Sequence, residues 1–463
     1  MVLSLLLLLL TPFSVAFTVN LDSAESIANT ASTIAYNMMG VYTGNLSGQV
    51  PGLLPGSLSC NPNENGTYCW WEAGAMWGIL INYWQYTGDS SYNSVVSQGL
   101  QFQRGTNNNY NPANQSSGMG VDDQLFWAFS VLDAVESNFP PPATGDPSWL
   151  SLAQGVFNFQ ASLWDTATCG GGFRWQVYSF NAGWNLKNTI SNAGNFQLAA
   201  RLAYITGNQS YAHWAVKVWD WLAESTLYEI DNSTGVLFLW DNTDVNNNCT
   251  DAANYVWSYN YGSALAGAAY MYNYTNGSSV WGDRVSLILN STYSLFFPDK
   301  YGGDIMYELE CEPTKNCNQD QKSFKAYLAR WMAVTSLLVP STATSIKQKL
   351  AASATGAAGQ CDGGSSGEEC GMHWWTTDWD GTDGTGQDMC ALSVIGANLL
   401  QQNMAPLTLR TGATSKSNPS AGSTNSTTTK KLAPIGVKDK IGAAILTFGI
   451  GAGVIAGSVW LVM

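Results

Sequence analysis

The sequence predicts an all-α protein, an (α/α)6 barrel of six helical hairpins. Between residue 17 and about 404, apolar segments with helical periodicity alternate with breaks rich in Gly, Asn and Pro. Four of these breaks share one turn chemistry. The segments number twelve, as six hairpins require, and they span residues 21–38, 70–86, 90–104, 122–137, 147–164, 188–205, 209–226, 257–273, 279–296, 319–338, 342–356 and 385–403.

The repeated turn places a glycine four residues before an aromatic residue. It reads TGDSSY at 87–92, TGDPSW at 144–149 and TGNQSY at 206–211, with a looser copy, TNGSSVW, at 275–281. The glycine suits the left-handed conformation that ends a helix, and the polar residue after it suits an N-cap. In the second copy, Pro147 is expected in the first turn of its helix. The spacing predicts that the second, fourth, sixth and eighth helices run in one direction and start on one face of the barrel.

Residues 1–16 have the pattern of a secretory signal peptide. An apolar run from Leu3 to Leu10 leads to the small residues Ser14, Val15 and Ala16, after which we expect cleavage. The run is too short to span a bilayer as a permanent helix. We therefore expect secretion through the endoplasmic reticulum and one (α/α)6 domain over the residues 17–404 that follow.

The C-terminal region has the order of a glycosylphosphatidylinositol (GPI) attachment signal, namely a small-residue site, a polar spacer and an apolar tail. We interpret residues 405–426 as a Ser/Thr/Gly-rich linker with the attachment residue at Gly422 or Asn425, and residues 427–463 as the removed tail. The alternative is an ordinary transmembrane helix over the uncharged residues 441–463. The GPI interpretation predicts a location at the outer face of the plasma membrane, in the cell wall, or both.

The charge and composition indicate which partners the protein binds. A formal net charge of −14 argues against nucleic acid, which needs clusters of Lys and Arg to neutralise phosphate. The 20 Trp and 21 Tyr, beside abundant Asn and Gly, favour sugars, because aromatic faces stack on pyranose rings and amides bond their hydroxyls. For any single Trp, a core position is the more common explanation.

Cysteines and sequons fit an exported glycoprotein. No His or Cys cluster has zinc-like spacing, so we predict no transition-metal site and no cofactor. Nine cysteines leave at least one unpaired, and three pairs are close enough to close short loops: Cys60 with Cys69, Cys311 with Cys317, and Cys361 with Cys370. Ten N-x-S/T sequons begin at Asn45, Asn65, Asn114, Asn208, Asn232, Asn248, Asn273, Asn276, Asn290 and Asn425.

Residues able to bind or attack a sugar stand at the four helix starts that share one face. We expect the site there, because the tight turns occupy the opposite end and the loops before these helices are long and polar. The four sets are Trp70-Trp71-Glu72, Asp122-Asp123, Lys187-Asn188 with Asn192, and Trp257-Ser258-Tyr259-Asn260.

Asp122 and Asp123 are the candidate catalytic pair. Glycoside cleavage needs one carboxyl group to attack or to activate water and another to protonate the departing oxygen. The alternative is structural, with Asp122 as an N-cap and Asp123 as a first-turn acid that the helix dipole favours. The polar and aromatic residues at the other three starts favour catalysis.

The remaining candidates have structural alternatives too. Asn188 and Asn192 lie four residues apart and both can face a cavity, but Asn188 can also cap its helix. Lys187 can bond a sugar hydroxyl or be a surface charge. Four further acids have no EF-hand pattern and can be solvated or donate oxygens to a cation: Asp304, Glu308, Glu310 and Asp320.

Seven segments, in order, resemble glycoside hydrolase family 76, the endo-α-1,6-mannanase family, and most closely its fungal Dfg5/Dcw1 branch of GPI-anchored cell-wall proteins. The resemblance covers essentially the whole mature domain. Its segments are CWWEAGAMWG at 69–78, GMGVDDQLFWAF at 118–129, CGGGFRWQ at 169–176, NLKNTISNAGNFQLAARL at 185–202, WSYNYG at 257–262, KSFKAYLARW at 322–331 and CGMHWW at 370–375.

The resemblance implies an (α/α)6 barrel that cleaves α-1,6-mannosides with retention through a covalent mannosyl-enzyme. Asp122 would be the nucleophile and Asp123 the acid/base. The fungal branch implies transfer of a GPI-glycan or mannan chain to wall polysaccharide as well as hydrolysis. Beside Lys187, the groove would be lined by Trp71, Asn188, Asn192, Trp257, Tyr259, Asn260, Phe324 and Lys325.

Two other functions remain open from the sequence. The same barrel with inert carboxylates would be a mannan-binding lectin without turnover. A protein whose aromatic residues all lie in the core would be a structural surface glycoprotein. The intact acid pair counts against the first, and the clustered polar sets count against the second.

Overall fold

The computed structural model describes residues 18–422. The predicted signal peptide at 1–16, the alternative attachment residue Asn425 and the predicted tail at 427–463 lie outside the described residues. Among the helices that are described, none has the length and apolar character needed to cross a membrane.

The twelve predicted helices are all present. The largest differences from the predicted bounds occur where 3₁₀ turns at Gln321–Ser323 and Ala397–Leu399 replace the expected α-helix. The helices are α1 Ala24–Gly40, α2 Trp70–Thr87, α3 Asn93–Phe102, α4 Val121–Glu136, α5 Trp149–Ala161, α6 Thr189–Thr206, α7 Gln209–Glu224, α8 Ser258–Tyr274, α9 Ser279–Phe296, α10 Phe324–Leu338, α11 Ala343–Ala358 and α12 Thr385–Gly396.

Alternate helices form a closed inner ring. Each even-numbered helix packs on the next even-numbered one, and α12 packs back on α2, while the odd-numbered helices cover the outside. The inner helices are buried on almost every side, and α6, for example, exposes hardly any residue along its length. This arrangement is the predicted (α/α)6 barrel.

The repeated turns behave only partly as predicted, because α3 and α9 begin without a side-chain cap and α8 ends before Gly277. Gly88 ends α2 and Gly207 ends α6, both with left-handed backbone (φ of 76° and 69°). Asn208 then caps α7 by accepting the Ser210 N–H. The second copy differs, because α4 ends well before Gly145; Ser148 caps α5, and Pro147 precedes the helix instead of lying in its first turn.

Four short strands join the loops above the barrel, and the helical pattern did not predict them. β1 (Leu186–Asn188) pairs antiparallel with β4 (Asn242–Asp244), so that the loop before α6 is fixed to the loop before α8. β2 (Tyr228–Ile230) pairs with β3 (Leu237–Leu239) as a separate hairpin. Three-residue strands are too short to leave a periodic sequence signal.

A charged network closes the end of the barrel opposite the helix starts. Arg201 of α6 donates to Asp133 (2.7 Å) and, through two nitrogens, to Glu136 (3.0 and 2.7 Å), both on α4. Arg330 of α10 pairs with the second oxygen of Asp133, and the Tyr270 hydroxyl donates to Glu136 (2.7 Å). These charges are buried or nearly so, and their mutual pairing is what makes such burial tolerable.

An aromatic layer separates this charged end from the helix starts. Phe126, Phe129 and Trp331 pack together with ring centroids 5.6 to 6.5 Å apart, and Tyr327 packs on Phe126 at 4.9 Å. Phe126 lines the cavity at the helix starts, whereas Trp331 lines the cavity at the charged end. The two cavities are therefore divided by packed rings.

Residues 405–422, predicted as a linker, lie along the helical domain as an ordered strap. Backbone N–H groups of Leu407 and Leu409 donate to the ends of α4 and α6. Further on, the buried Gln154 of α5 accepts the Asn418 N–H at 2.6 Å. Gly422 has left-handed backbone (φ 68°) and packs closely on Gly155. A Cβ atom added to Gly422 would lie 2.9 Å from the backbone of Gly155. The domain thus extends beyond its predicted end at residue 404, and a composition rich in Ser, Thr and Gly did not mean a free chain.

Four disulfides are formed among the described residues. The three predicted short-range pairs are confirmed. Cys169 and Cys249, 80 residues apart, form a fourth pair that the spacing could not indicate. Cys390 remains as a buried free thiol.

Candidate active site

A cavity of about 180 Å³ opens at the predicted face of the barrel. Its side chains come from the starts of α2, α4, α6, α8 and α10 and from the loops above them. They are Trp71, Asp122, Asp123, Phe126, Trp175, Leu186, Asn188, Asp241, Asn242, Tyr259, Asp320 and Phe324.

Asp122 and Asp123 lie side by side in the first turn of α4, which starts one residue earlier than predicted. Asp122 Oδ2 accepts the Asn188 amide (3.0 Å), and its Oδ1 accepts the Asp123 N–H (3.1 Å). Asp123 Oδ2 accepts the N–H of Gly120, the N-cap (2.7 Å). The structural alternative for Asp122 as N-cap is therefore wrong, while Asp123 does stabilise the helix start and still lines the cavity.

Backbone pairing above the barrel fixes the acid pair in place. The Val121 N–H donates to the Trp175 carbonyl (2.7 Å), and the Trp175 N–H donates to the Leu186 carbonyl (2.7 Å). Leu186 begins β1, which ends at Asn188, the residue that holds Asp122. A continuous run of hydrogen bonds thus connects the starts of α4 and α6. The positions of the Asp122 and Asp123 carboxyl groups therefore depend on a fixed backbone as well as on their side-chain rotamers.

Burial gives the two acids different affinities for a proton. Desolvation raises the pKa of Asp122 to about 7, against the opposing hydrogen bond from Asn188. Desolvation, followed by repulsion from Asp122, raises the pKa of Asp123 well above its ordinary value. When two acids share a low-dielectric site, the proton resides on the one whose charged form is less stabilised. Asp122 is therefore the group that ionises first, and Asp123 is the group that keeps its proton.

Aromatic rings form one wall of the cavity. Tyr259 and Phe324 are stacked at 4.0 Å, and Trp71 packs on Phe126 at 4.6 Å. Trp257, also predicted for the groove, packs edge-on against Phe324 at 5.7 Å, just outside the set of lining residues. Flat apolar faces beside carboxylates and amides suit a pyranose ring, which has both C–H surfaces and hydroxyls.

The structure places Lys187 and Asn192 away from the cavity, contrary to prediction. The Lys187 ammonium group is fully buried, donates to the carbonyls of Thr168 (2.8 Å) and Gly171, and lies 3.4 Å from Asp165. Asn192 exchanges hydrogen bonds with the backbone of Phe173 (2.8 and 3.1 Å). Both side chains support the glycine-rich loop beside the site. Lys187 lies in β1, where successive side chains point to opposite faces, so it points away from its neighbour Asn188.

Lys325 and Asn260 also lie outside the cavity lining. Lys325 is fully buried, 2.8 Å from Glu312, and its ammonium group lies over the Trp374 ring at 3.7 Å. Asn260 is buried, and its amide has no hydrogen-bond partner among the described residues. Asn260 was predicted from a helix start, which identifies the end of the barrel but not the direction of each side chain. Lys325 was predicted from the family resemblance alone.

Six lining residues were missed as site residues by sequence reasoning, namely Phe126, Trp175, Leu186, Asp241, Asn242 and Asp320. Trp175 lies in the CGGGFRWQ segment, and Asp241 and Asn242 precede or begin β4, where no helical pattern draws attention to them. Asp320, one of the four spare acids, lies in the cavity just before α10. The missing signal was the β1–β4 pairing, which brings residues 241–242 beside Asn188.

The other spare acids have structural partners. Glu308 accepts the Ser258 N–H at the start of α8 (3.0 Å), Glu310 accepts the Val256 N–H (2.9 Å), and Asp304 pairs with Lys349 (2.8 Å). One group of three possible ligand side chains, Cys69, Glu72 and Asp320, is present among the described residues. Cys69 is bonded to Cys60, so its sulfur is not an available thiolate.

Gly120→Ala is expected to lower activity with little effect on folding. The backbone of Gly120 is ordinary (φ −82°), but an added Cβ would lie 2.1 Å from Asp122 Oδ1 and 3.2 Å from the Trp175 indole nitrogen. The Asp122 carboxylate must move, and a displacement of about 1 Å at a reacting group costs on the order of 10²-fold in rate. Steady-state kinetics and a thermal melt of Gly120→Ala test this prediction. Gly118→Ala would not serve as a control, because an alanine at the φ of 85° found for Gly118 would be strained.

Comparison with known proteins identifies the family. Residues 26–410 match the profile of Glycosyl hydrolase family 76. The chain belongs to this family. It is therefore a glycoside hydrolase, and the resemblance that the seven sequence segments indicated is confirmed.

Individual members of family 76 match over nearly the whole chain. Mannan endo-1,6-alpha-mannosidase DCW1 of Saccharomyces cerevisiae is 41% identical, over 98% of this chain and 96% of its own. The crystal structure of Dfg5 from Chaetomium thermophilum, in complex with glucosamine, has a TM-score of 0.80 and 41% identity, and covers 87% of this chain and 97% of its own. The GH76A alpha-1,6-mannanase of Salegentibacter (TM-score 0.62, 18% identity, 80% and 98% coverage) supports the barrel fold alone.

Proposed function

We propose that this family 76 enzyme is a retaining α-1,6-mannosidase that also acts as a transglycosidase on mannan or GPI-glycan chains during assembly of a fungal cell wall. The observation that carries the proposal is the Asp122–Asp123 pair, held in one cavity with different affinities for a proton. The names of the DCW1 and Dfg5 relatives support the substrate class.

In the proposed reaction, ionised Asp122 attacks the anomeric carbon while protonated Asp123 gives its proton to the departing glycosidic oxygen. The bond to the leaving sugar breaks, and a mannosyl ester forms on Asp122. Asp123, now ionised, then takes a proton from water or from an acceptor hydroxyl, and that oxygen displaces Asp122 from the sugar. The Asn188 amide holds Asp122 at the attacking position throughout.

The charge of the cavity supports a GPI-glycan substrate. Four carboxyl groups and no Lys or Arg are among its lining side chains. Such a site favours a neutral sugar chain or one that carries an amine, since like charges repel an acidic sugar. The GPI glycan is a mannose chain that begins on glucosamine, and the Dfg5 relative was crystallised with glucosamine. The predicted signal peptide and GPI signal would place the enzyme at the cell surface, where its substrates are.

The pH dependence of kcat/KM is expected to be bell-shaped, with its acid limb near pH 7. Below the pKa of Asp122, which burial raises to about 7, the nucleophile is protonated and activity falls. Above the higher pKa of Asp123, the proton donor is lost and activity falls again. Asp123→Asn should abolish the alkaline limb alone. An acid limb near pH 4, the ordinary value for Asp, would contradict the assignment.

The direct test is to trap the glycosyl-enzyme with an activated 2-deoxy-2-fluoro-mannosyl donor and to locate the label by mass spectrometry. We expect the label on Asp122 and none in Asp122→Ala. Adding an α-mannoside acceptor should then release the label faster than buffer alone if transfer is the natural second step. Absence of label together with undiminished binding of mannan would favour the alternative, a mannan-binding lectin without turnover.

A further inference from the structure

Asp320 enters the cavity from a different helix than the acid pair. It immediately precedes the 3₁₀ turn Gln321–Ser323 that leads into α10. The Ser323 N–H (3.0 Å) and hydroxyl (2.7 Å) both donate to the Asp320 carbonyl, which fixes the backbone of this turn. The carboxyl group therefore has a defined position in the cavity that also holds Asp122 and Asp123.

One oxygen of Asp320 has a partner in the wall of the cavity. Oδ1 accepts the indole N–H of Trp71 at 3.2 Å. Trp71 is 8% exposed and packs on Phe126 and Tyr327. A ring held by packing on one side and by a carboxylate at its N–H has one orientation, as a stacking surface for a sugar requires.

A second carboxyl group stands behind Asp320. Glu72 of α2 is buried, and its Oε2 accepts the Cys69 N–H (2.6 Å), while Oε1 has no hydrogen-bond partner among the described residues. An oxygen of Glu72 and an oxygen of Asp320 lie within 4.8 Å of each other. Two desolvated carboxyl groups this close do not both ionise.

The deeper acid keeps the proton. Burial, and then repulsion from Asp320, raises the pKa of Glu72 well above its ordinary value, whereas burial raises the pKa of Asp320 to about 6. Asp320 in turn raises the pKa of Glu72 on α2, of Asp123 on α4 and of Tyr259 on α8. Two further charged groups act on these neighbours, since Asp122 raises the pKa of Asp123 and Lys322 lowers that of Glu72. At neutral pH, Asp320 is thus an anion in the cavity, with Glu72 neutral behind it.

We infer that Asp320 is a third functional carboxylate of this site, which accepts a hydrogen bond from a hydroxyl of the bound sugar while it holds the Trp71 ring in place. The inference rests on the proposed function and deepens it. A carboxylate accepts up to about four hydrogen bonds, and the Trp71 N–H uses one position. Its charge also repels ionisation of Asp123 and so helps that acid to keep its proton.

Two variants separate the roles of Asp320. Asp320→Asn keeps an oxygen that can accept the Trp71 N–H but removes the charge, whereas Asp320→Ala removes both. Hydrogen bonds to charged groups contribute enough that we expect Asp320→Asn to lower kcat/KM for α-1,6-mannotriose by about 10- to 100-fold, and Asp320→Ala by more. Asp304→Asn, a change of the same kind at a partly exposed ion pair outside the cavity, should leave kcat/KM within about twofold.

A pH profile distinguishes this role from a structural one. Without the charge of Asp320, the pKa of Asp123 falls, so the alkaline limb of kcat/KM for Asp320→Asn should move to lower pH. The inference would be overturned if Asp320→Asn had the wild-type kcat/KM and an unchanged alkaline limb. This would hold even if Asp320→Ala were inactive, because loss of the hydrogen bond to Trp71 alone would then account for the inactivity of the alanine variant. Failure of the proposed function would look different: wild-type protein would not be labelled on Asp122 by the fluoro-mannosyl donor.

Discussion

Asp122→Ala is expected to lower kcat/KM for α-1,6-mannosides by about 10⁴- to 10⁶-fold, the range seen when a covalent nucleophile is removed. The alanine cannot form the mannosyl ester, and the Asn188 amide loses its acceptor. Folding should change little, because Asp122 is not the N-cap and α4 keeps its Gly120–Asp123 hydrogen bond. The measurement is kcat/KM on α-1,6-mannotriose, with circular dichroism to confirm the fold.

Asp123→Asn serves as the matched comparison for Asp122→Ala. Loss of a general acid typically costs about 10²- to 10⁴-fold, and the loss should nearly vanish for a substrate whose leaving group needs no proton. Asp122→Ala should fail with both kinds of substrate. If an activated aryl mannoside restored Asp122→Ala but not Asp123→Asn, the two roles would have to be exchanged.

Arg201→Met is expected to lower the free energy of unfolding by about 3–5 kcal/mol, the usual cost of leaving buried charges without their partner. Glu136 would lose both of its bonds to the guanidinium group, and Asp133 would keep Arg330 alone. The change lies beyond the aromatic layer, so kcat/KM of the folded protein at low temperature should stay close to that of the wild type.

The control for this second prediction is Arg104→Met. Arg104 pairs with Asp146 at 3.2 Å, but both side chains are about one-third exposed, at 32% and 34%. Such a surface pair contributes up to about 1 kcal/mol. Urea unfolding measures the free energy of unfolding of both variants. Equal decreases in this free energy would mean that the charged network at the barrel end does not behave as a buried one.

The sequence predicted the helices well and the individual site residues less well. Helices of ten or more residues leave a periodic pattern, and glycine turns such as that at Gly88 mark their ends. The acid pair, Trp71, Asn188 and Tyr259 were placed in the cavity because the turn repeat identified the correct face, and Phe324 was placed there by the family resemblance. The reasoning from the turn repeat predicts where a residue lies along the barrel axis, but it does not predict the direction in which its side chain points around the helix axis.

Long-range contacts account for the rest. The Cys169–Cys249 disulfide, the β1–β4 pair and the strap at 405–422 each join residues that are far apart in sequence. Asp241 is brought to the cavity by the β1–β4 pair, whereas Asp320 stands just before α10, an inner helix whose start the repeated turns did not mark. Lys187 and Lys325 were misplaced because a buried cation can look like a sugar ligand when its carboxylate and carbonyl partners lie in loops.

The aromatic layer across the barrel determines how a long polysaccharide can be processed. Because Phe126 closes the upper cavity and Trp331 faces the lower one, a sugar chain has no route through the ring. Entry and exit must use the same opening, so an internal stretch of mannan has to lie across the mouth or bend into it. Passage of one chain along the barrel axis is therefore ruled out by the packing of these rings, and any movement of the chain between cuts has to follow the mouth of the cavity.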